Sequence, residues 1–330
     1  MFNEYYRDLL EDIRYRKTFS SSQIVKRVLD EFKDIAYNSE DINNIIKTYI
    51  FLTPKIIELR PTSALLANSL KKILSRIVEA RQKLSREVIV NIIDNVRREI
   101  DDNNHAVAIM ASKRISNGDI ILTFSYSTVV LEMLRNLVKE GKKVEVYISE
   151  SRPEAEGLLM AEMISKLNIP VTVFVDSAIR YFMKEVDKVV ISCEAIASNG
   201  AVINKIGTSE VALAAYEARV RVFVLAQTYK FSPETFFGEL VELMSYNVNS
   251  LVNKEIEEKI GVRVKMSSPI FDVTPPEYID AIITEKGVIA SQAVPFILRE
   301  IYNWPLKIQD INLIINELAR VVKWNFQRKF

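Results

Sequence analysis

Residues able to hold a phosphorylated ligand gather between Lys188 and Ala218. Lys205 stands two positions ahead of Gly207-Thr208-Ser209, and an alanine-rich segment of helical period follows. A helix starting there would present unpaired backbone N–H groups and a positive dipole end, and Lys205 adds a full charge beside them, so the matching ligand is an anion. Glycine, threonine and serine before a helix also make an ordinary structural cap, so the segment needs support from elsewhere. Glu194, between the apolar run Val189–Ser192 and the turn Ser198-Asn199-Gly200, is either a ligand contact or a capping or interface carboxylate. Cys193, the only cysteine, precedes it on the same run. Alternation along a strand sends the two to opposite faces and makes Cys193 a small buried hydrophobe. A single cysteine excludes an intramolecular disulfide and fits a reducing compartment. The single histidine, His105, leaves no zinc-binding His/Cys cluster and no His-based triad, and is expected in the linker between two domains.

Such groups need a frame, and 330 residues suffice for two domains. Residues 1–116 read as a helical domain. Ser20, Ser21 and Ser22 precede Ile24, Val28, Phe32 and Ile35 at helical spacing, Asp41 through Leu52 is a second helix, and Pro61 falls in the first turn of a third. Residues 117–306 change period. Apolar runs Ile120–Phe124, Val144–Ile148, Val171–Val175, Val189–Ser192, Val222–Ala226 and Ile279–Thr284 alternate with helical stretches, the mark of an α/β, mainly parallel, doubly wound sheet. Ligands bind such sheets at the carboxyl ends of the strands. That rim holds Ser125, Glu150-Ser151-Arg152, Asp176, Glu194 and the run from Gln227 to Lys230. Residues 307–330 form a C-terminal amphipathic helix with the basic tail Gln327-Arg328-Lys329-Phe330.

Composition narrows the partners. With 48% hydrophobic residues, 26% charged and a net charge of +1, the chain gives no electrostatic reason to bind nucleic acid or an anionic membrane directly. No apolar run approaches the ~20 residues of a membrane span, and the charged start MFNEYYRDLLEDIRYRK is unlike a signal peptide, so a cytoplasmic location is expected. No metal or organic cofactor is expected.

Several longer motifs carry a family resemblance: LRPTSALLANSLKKI, ILTFSYSTVVLEML, VYISESRPEAEG, CEAIASNGAVINKIGT, TYKF and SPIFDVTPPEYIDAIITE. Together they resemble the superfamily that unites the alpha, beta and delta subunits of translation initiation factor 2B with isomerases of methylthioribose-1-phosphate and ribose-1,5-bisphosphate. The resemblance implies a Rossmann-like second domain and a homodimer or larger ring. It also implies roles by position. Arg60 of R-P-T would contact a substrate phosphate, with Asn204, Lys205, Lys230 and Arg152 also on the ligand. Four cations in one cleft suit a sugar phosphate or an AMP-like nucleotide, because charge-assisted contacts are roughly twice as strong as neutral ones.

The isomerases' catalytic cysteine and aspartate are replaced here by Ser125 and Glu194, and Phe124 stands in place of a histidine. Thr18-Phe19-Ser20-Ser21 stands near the isomerases' arginine-glycine phosphate loop. A hydroxyl is a far poorer acid than a thiol of pKa ~8.5, and misplacement of a carboxylate by roughly 1 Å can cost ~100-fold. The expectation is therefore a catalytically incomplete regulatory subunit of the initiation factor 2B type that binds a sugar phosphate or nucleotide and partner proteins, the resemblance implying the alpha subunit of translation initiation factor 2, and not an enzyme. The alternative is a ribose-1,5-bisphosphate isomerase of nucleotide salvage, and a third possibility is an assembly subunit with an empty pocket.

Overall fold

A computed structural model of the chain describes residues 6–14, 20–238, 241, 243, 259, 264, 267–302 and 310–323. Thr18, Phe19 and the basic tail lie outside the described residues. The chain divides into two compact units, Met1–Asp102 with Arg299–Phe330, and Asn103–Leu298.

The first unit opens with helices α1 (Arg7–Arg14), α2 (Ser21–Asn38), α3 (Ile42–Leu59) and α4 (Ala64–Glu79), followed by the start of α5 (Arg86–Ser112). The apolar spacing in α2 buries Ile24, Val25, Val28, Leu29, Phe32 and Ile35 on one side. The Asp41 side chain caps α3 by accepting from the Asn44 N–H at 2.9 Å. Phe32 stacks on Tyr49 with ring centroids 4.4 Å apart. Pro61 is not in the first turn of a helix. Arg60 N–H closes onto Ile57 O and Ser63 N–H onto Arg60 O, so 60–63 is a turn and α4 begins at Ala64.

In the second unit the strands are β1 (Ile120–Thr123), β2 (Glu145–Ser149), β3 (Val171–Phe174), β4 (Lys188–Ser192), β5 (Ala195–Ala197), β6 (Val202–Lys205), β7 (Arg221–Leu225), β8 (Phe231–Ser232), β9 (Phe271–Thr274), β10 (Ala281–Thr284) and β11 (Gly287–Ile289). Helices α6 (Thr128–Lys139), α7 (Glu156–Ser165), α8 (Thr208–Ala218) and α9 (Val294–Tyr302) accompany them. Among the described residues a seven-stranded sheet runs β11-β10-β7-β4-β1-β2-β3, parallel except for the antiparallel edge pair β10–β11. Its core packs Ile121, Val146, Ile148, Val190, Leu225 and Ile283 with Val130 and Leu134 of α6. The chain winds outward from β1 through β2 and β3, then restarts on β1's other side with β4. The β1–β4 boundary is thus the topological switch point, where such sheets open a crevice.

A second, four-stranded sheet, β8-β5-β6-β9, was not anticipated. The turn Ser198-Asn199-Gly200 joins two strands the sequence did not show, and 195–205 form an antiparallel β5–β6 hairpin. Its strands are too short for alternation to show in sequence, and they gain their remaining partners from β8 and β9, distant in the chain. His105 lies inside α5, not in a linker, with Nδ1 2.7 Å from Glu132. The last described helix, α10 (Ile311–Val321), belongs to the first unit and packs on α3 and α4, burying Ile314, Ile315 and Leu318.

Gly157, in the first turn of α7, packs directly on the end of β2: a Cβ there would sit 1.8 Å from Ser149 O. Backbone cannot yield as a flexible side chain can. Gly157→Ala is expected to destabilise the protein by about 1–3 kcal/mol, as overpacked positions do. Urea unfolding checks this, and an unchanged midpoint would show that α7 moves freely against β2.

Candidate functional site

Ser125 and Glu194 follow β1 and β4, the two strands flanking the switch point. Paired strands lie about 4.8 Å apart, which sets the two chain segments side by side at the mouth of the crevice. The backbone there is unusual. Ser125 at φ 60°, Ser151 at φ 59° and Ala155 at φ 56° adopt the left-handed conformation without being glycine. Each such residue costs on the order of 1–3 kcal/mol, and they gather where function requires a fixed geometry.

The same rim carries buried polar atoms with no hydrogen-bond partner. They are Thr123 Oγ1, Ser149 Oγ, Ser151 Oγ, Glu194 Oε2 and both side-chain polar atoms of Gln227, at or just beyond the ends of β1, β2, β4 and β7. Buried polar atoms are overwhelmingly paired in folded proteins. A polar ligand in the crevice would satisfy this row.

Lys205, at the end of β6 and 3% exposed, points its ammonium at two carboxylates: Glu154 Oε2 at 2.8 Å and Glu156 Oε1 at 2.7 Å. Ser125 Oγ donates to the other oxygen of Glu156. Burial pushes the Glu156 carboxyl above its ordinary value. The charge of Lys205 opposes that rise and the neighbouring Glu154 adds to it.

The start of α8 differs from its expected role as an anion site. Its anion is already present, because Asp272 of β9 accepts from Gly207 N–H at 2.8 Å and Ser209 N–H at 3.1 Å. Asn204 Nδ2 donates to Thr208 Oγ1 at 3.1 Å, tying the hairpin to the helix. Gly207 has φ 99°, and a Cβ on it would come within 2.7 Å of the Phe124 ring. The glycine therefore lets Phe124 pack under the helix start, and Phe124 is buried there.

Each of the other expected ligand residues has a partner within its own unit. Lys230 is buried, with its ammonium donating to Ser192 Oγ at 3.0 Å and to Cys193 O. Arg152 is exposed, and its backbone N–H donates to Asp176 at 2.7 Å. Arg60 belongs to the first unit, where Nε donates to Ile13 O at 3.3 Å. Cys193 lies beyond the end of β4 and is buried, with its thiol pushed up to about 12 by burial. Sequence reasoning missed Glu154, Glu156 and Asp272 as site residues. The first two sit inside the RPEAEG motif that was already in view, and a buried lysine elsewhere in the chain is the signal that would have called for them.

The profile of the initiation factor 2 subunit family matches residues 17–291. A ribose 1,5-bisphosphate isomerase of Pyrococcus furiosus is 39% identical over 256 residues, spanning 76% of this chain and 79% of that protein. One from Archaeoglobus fulgidus is 36% identical over 296 residues, spanning 88% and 91%. The crystal structure of the Pyrococcus horikoshii translation initiation factor eIF-2B superposes with a TM-score of 0.76 at 26% identity, covering 87% of this chain and 97% of that one. Relatives between 32% and 39% identical carry the isomerase name. They overturn the expectation of a catalytically incomplete regulatory subunit and of a chain that is not an enzyme. That expectation treated Ser125 as an isolated hydroxyl, whereas a buried carboxyl is hydrogen-bonded to it.

Burial lifts Asp272 to about 6, against the pull of the Gly207 and Ser209 N–H groups. The folded chain therefore holds a proton that the unfolded chain releases near pH 4, and stability from this group falls as pH rises between the two values. Urea unfolding of wild type and Asp272→Asn from pH 4 to 7 is expected to show the wild type losing ground to the variant up to about pH 6, then a constant difference. A difference moving the other way would mean that the helix N–H groups outweigh burial.

Proposed function

The chain belongs to the initiation factor 2 subunit family, and from that premise we propose that it isomerises ribose 1,5-bisphosphate to the corresponding ketose bisphosphate. Such a reaction leaves the atoms of the sugar unchanged and relocates protons. The bond between C1 and the ring oxygen breaks, and that oxygen takes a proton. A base removes the C2 proton, whose electron pair becomes a C1=C2 double bond. Loss of the O2 proton and gain of a proton at C1 then give the ketone. Two protons leave and two arrive, so the site needs a base and an acid on either side of the C1–C2 bond.

The observation that supports this reading is the buried Glu194 carboxylate with an unpartnered oxygen, just beyond the end of β4 as Ser125 is just beyond the end of its neighbour β1. Glu194 is the base that takes the C2 proton, and the Ser125 hydroxyl lies on the acid side. Lys230 supplies positive charge at the end of β4, and the unpaired hydroxyls of Thr123, Ser149 and Ser151 supply donors for phosphate and sugar oxygens. No step calls for a metal.

Incubating the purified protein with ribose 1,5-bisphosphate and following phosphorus and proton NMR spectra is expected to show a ketose bisphosphate accumulating. Glu194→Gln keeps the shape and removes the base, and should lower kcat by about 10²–10⁴. No conversion by the unaltered protein between pH 6 and 9 would end the isomerase reading.

A further inference from the structure

A serine is a weak acid, and this chain has no histidine near Ser125 to help it. The structure supplies another helper. Ser125 and Glu156 come from different turns, the first after β1 and the second at the start of α7. Ser125 is 5% exposed and Glu156 4%, and the hydroxyl and carboxyl are hydrogen-bonded. Ser125 itself and Ala155, the residue before Glu156, both have left-handed backbone. Three groups face Glu156: the Ser125 hydroxyl from beyond β1, the Lys205 ammonium from β6, and Glu154 from its own loop. Lys205 also holds Glu154, so two carboxylates share one cation.

We propose that Ser125 and Glu156 act as one proton-donating unit, in which Glu156 supplies through the serine hydroxyl the proton that reaches the sugar. This rests on the isomerase reading above and names the acid that reading needs. While Glu156 is ionised, the serine hydrogen is spent on the carboxylate. When Glu156 is protonated, its O–H donates to Ser125 Oγ and the serine hydrogen is released to point at the ligand. As the serine gives that hydrogen to the substrate, its oxygen takes the one from Glu156, leaving a carboxylate opposite Lys205. That proton goes to the ring oxygen; Glu156 regains one from the O2 hydroxyl through Ser125, and Glu194 returns the C2 proton to C1, so two protons leave the sugar and two arrive. Lys205 stabilises the ionised form and Glu154, competing for the same cation, limits that effect. Burial keeps the proton on Glu156 to a higher pH than on an ordinary glutamate. Glu156 is thus a positioning and proton-supplying residue behind Ser125, which touches the sugar.

The test uses the full chain with ribose 1,5-bisphosphate. Glu156→Gln preserves a hydrogen-bonding group beside Ser125 and removes the transferable proton. It is expected to lower kcat by about 10²–10⁴ with KM and the calorimetric affinity changed no more than a few-fold. Adding Ser125→Cys to Glu156→Gln introduces a thiol of pKa ~8.5 that can release its own proton, and is expected to recover at least tenfold of the loss. Wild-type kcat should decline as pH rises and Glu156 ionises, and this limb should vanish in Glu156→Gln. Wild-type kcat in Glu156→Gln overturns the proposal. So does a double variant as slow as the single one while both bind the bisphosphate normally, because Glu156 would then serve only structure. A wild-type protein without turnover defeats the isomerase reading itself, and turnover with an indifferent Glu156→Gln defeats only the relay.

Discussion

A buried ammonium cannot stand alone, and Lys205 sets the terms for the centre of the second unit. Taking a full charge out of water costs several kcal/mol unless opposite charge meets it in good geometry. Glu154 and Glu156 meet it within 2.8 Å. To bring them there, the chain after β2 must turn back sharply, through left-handed residues at Ser151 and Ala155, and seat Gly157 against the Ser149 carbonyl. The same turn delivers Glu156 to Ser125. One electrostatic requirement thus shapes both the packing of α7 and the chemistry at the mouth of the sheet.

The small second sheet serves the same end. Its β5–β6 hairpin carries Lys205 into the interior, and β9 brings Asp272 across from β6 to close the start of α8. A helix start that looks like a free anion site is filled by the chain's own carboxylate. The crevice at the β1–β4 switch point instead keeps its polar atoms unpaired. A fold that spends its helix-dipole site on itself and leaves buried carboxylate, hydroxyl and amide groups open at a strand boundary has reserved that boundary for something polar.

A hydroxyl at Ser125, where the family resemblance implies a thiol, is the sharpest departure from the expected pattern. Considered as an isolated substitution, it argues against catalysis. Considered with its neighbour, it does not, because the acidity available at a site belongs to the hydrogen-bonded group and not to one side chain. The relatives that carry the isomerase name across most of this chain's length point the same way.

The sequence by itself determined the helices of the first unit and six strands of the main sheet, in their order. The helical stripes such as Ile24, Val28 and Phe32, and the apolar runs that became β1, β2, β3, β4, β7 and β10, were legible because burial of one face or of a whole strand writes a period into the chain. The motifs around Arg60, Ser125, Arg152, Lys205 and Lys230 carried the family, and the ends of the parallel strands pointed to the candidate crevice. Tertiary structure alone decided which charges meet. Glu156 and Lys205 are 49 positions apart by their numbers and Asp272 and Gly207 are 65 apart, and no local pattern encodes a contact made by strand order. The two-to-four-residue strands β5, β6, β8 and β9 were likewise hidden, because each is held by pairing with a distant segment and not by a preference of its own.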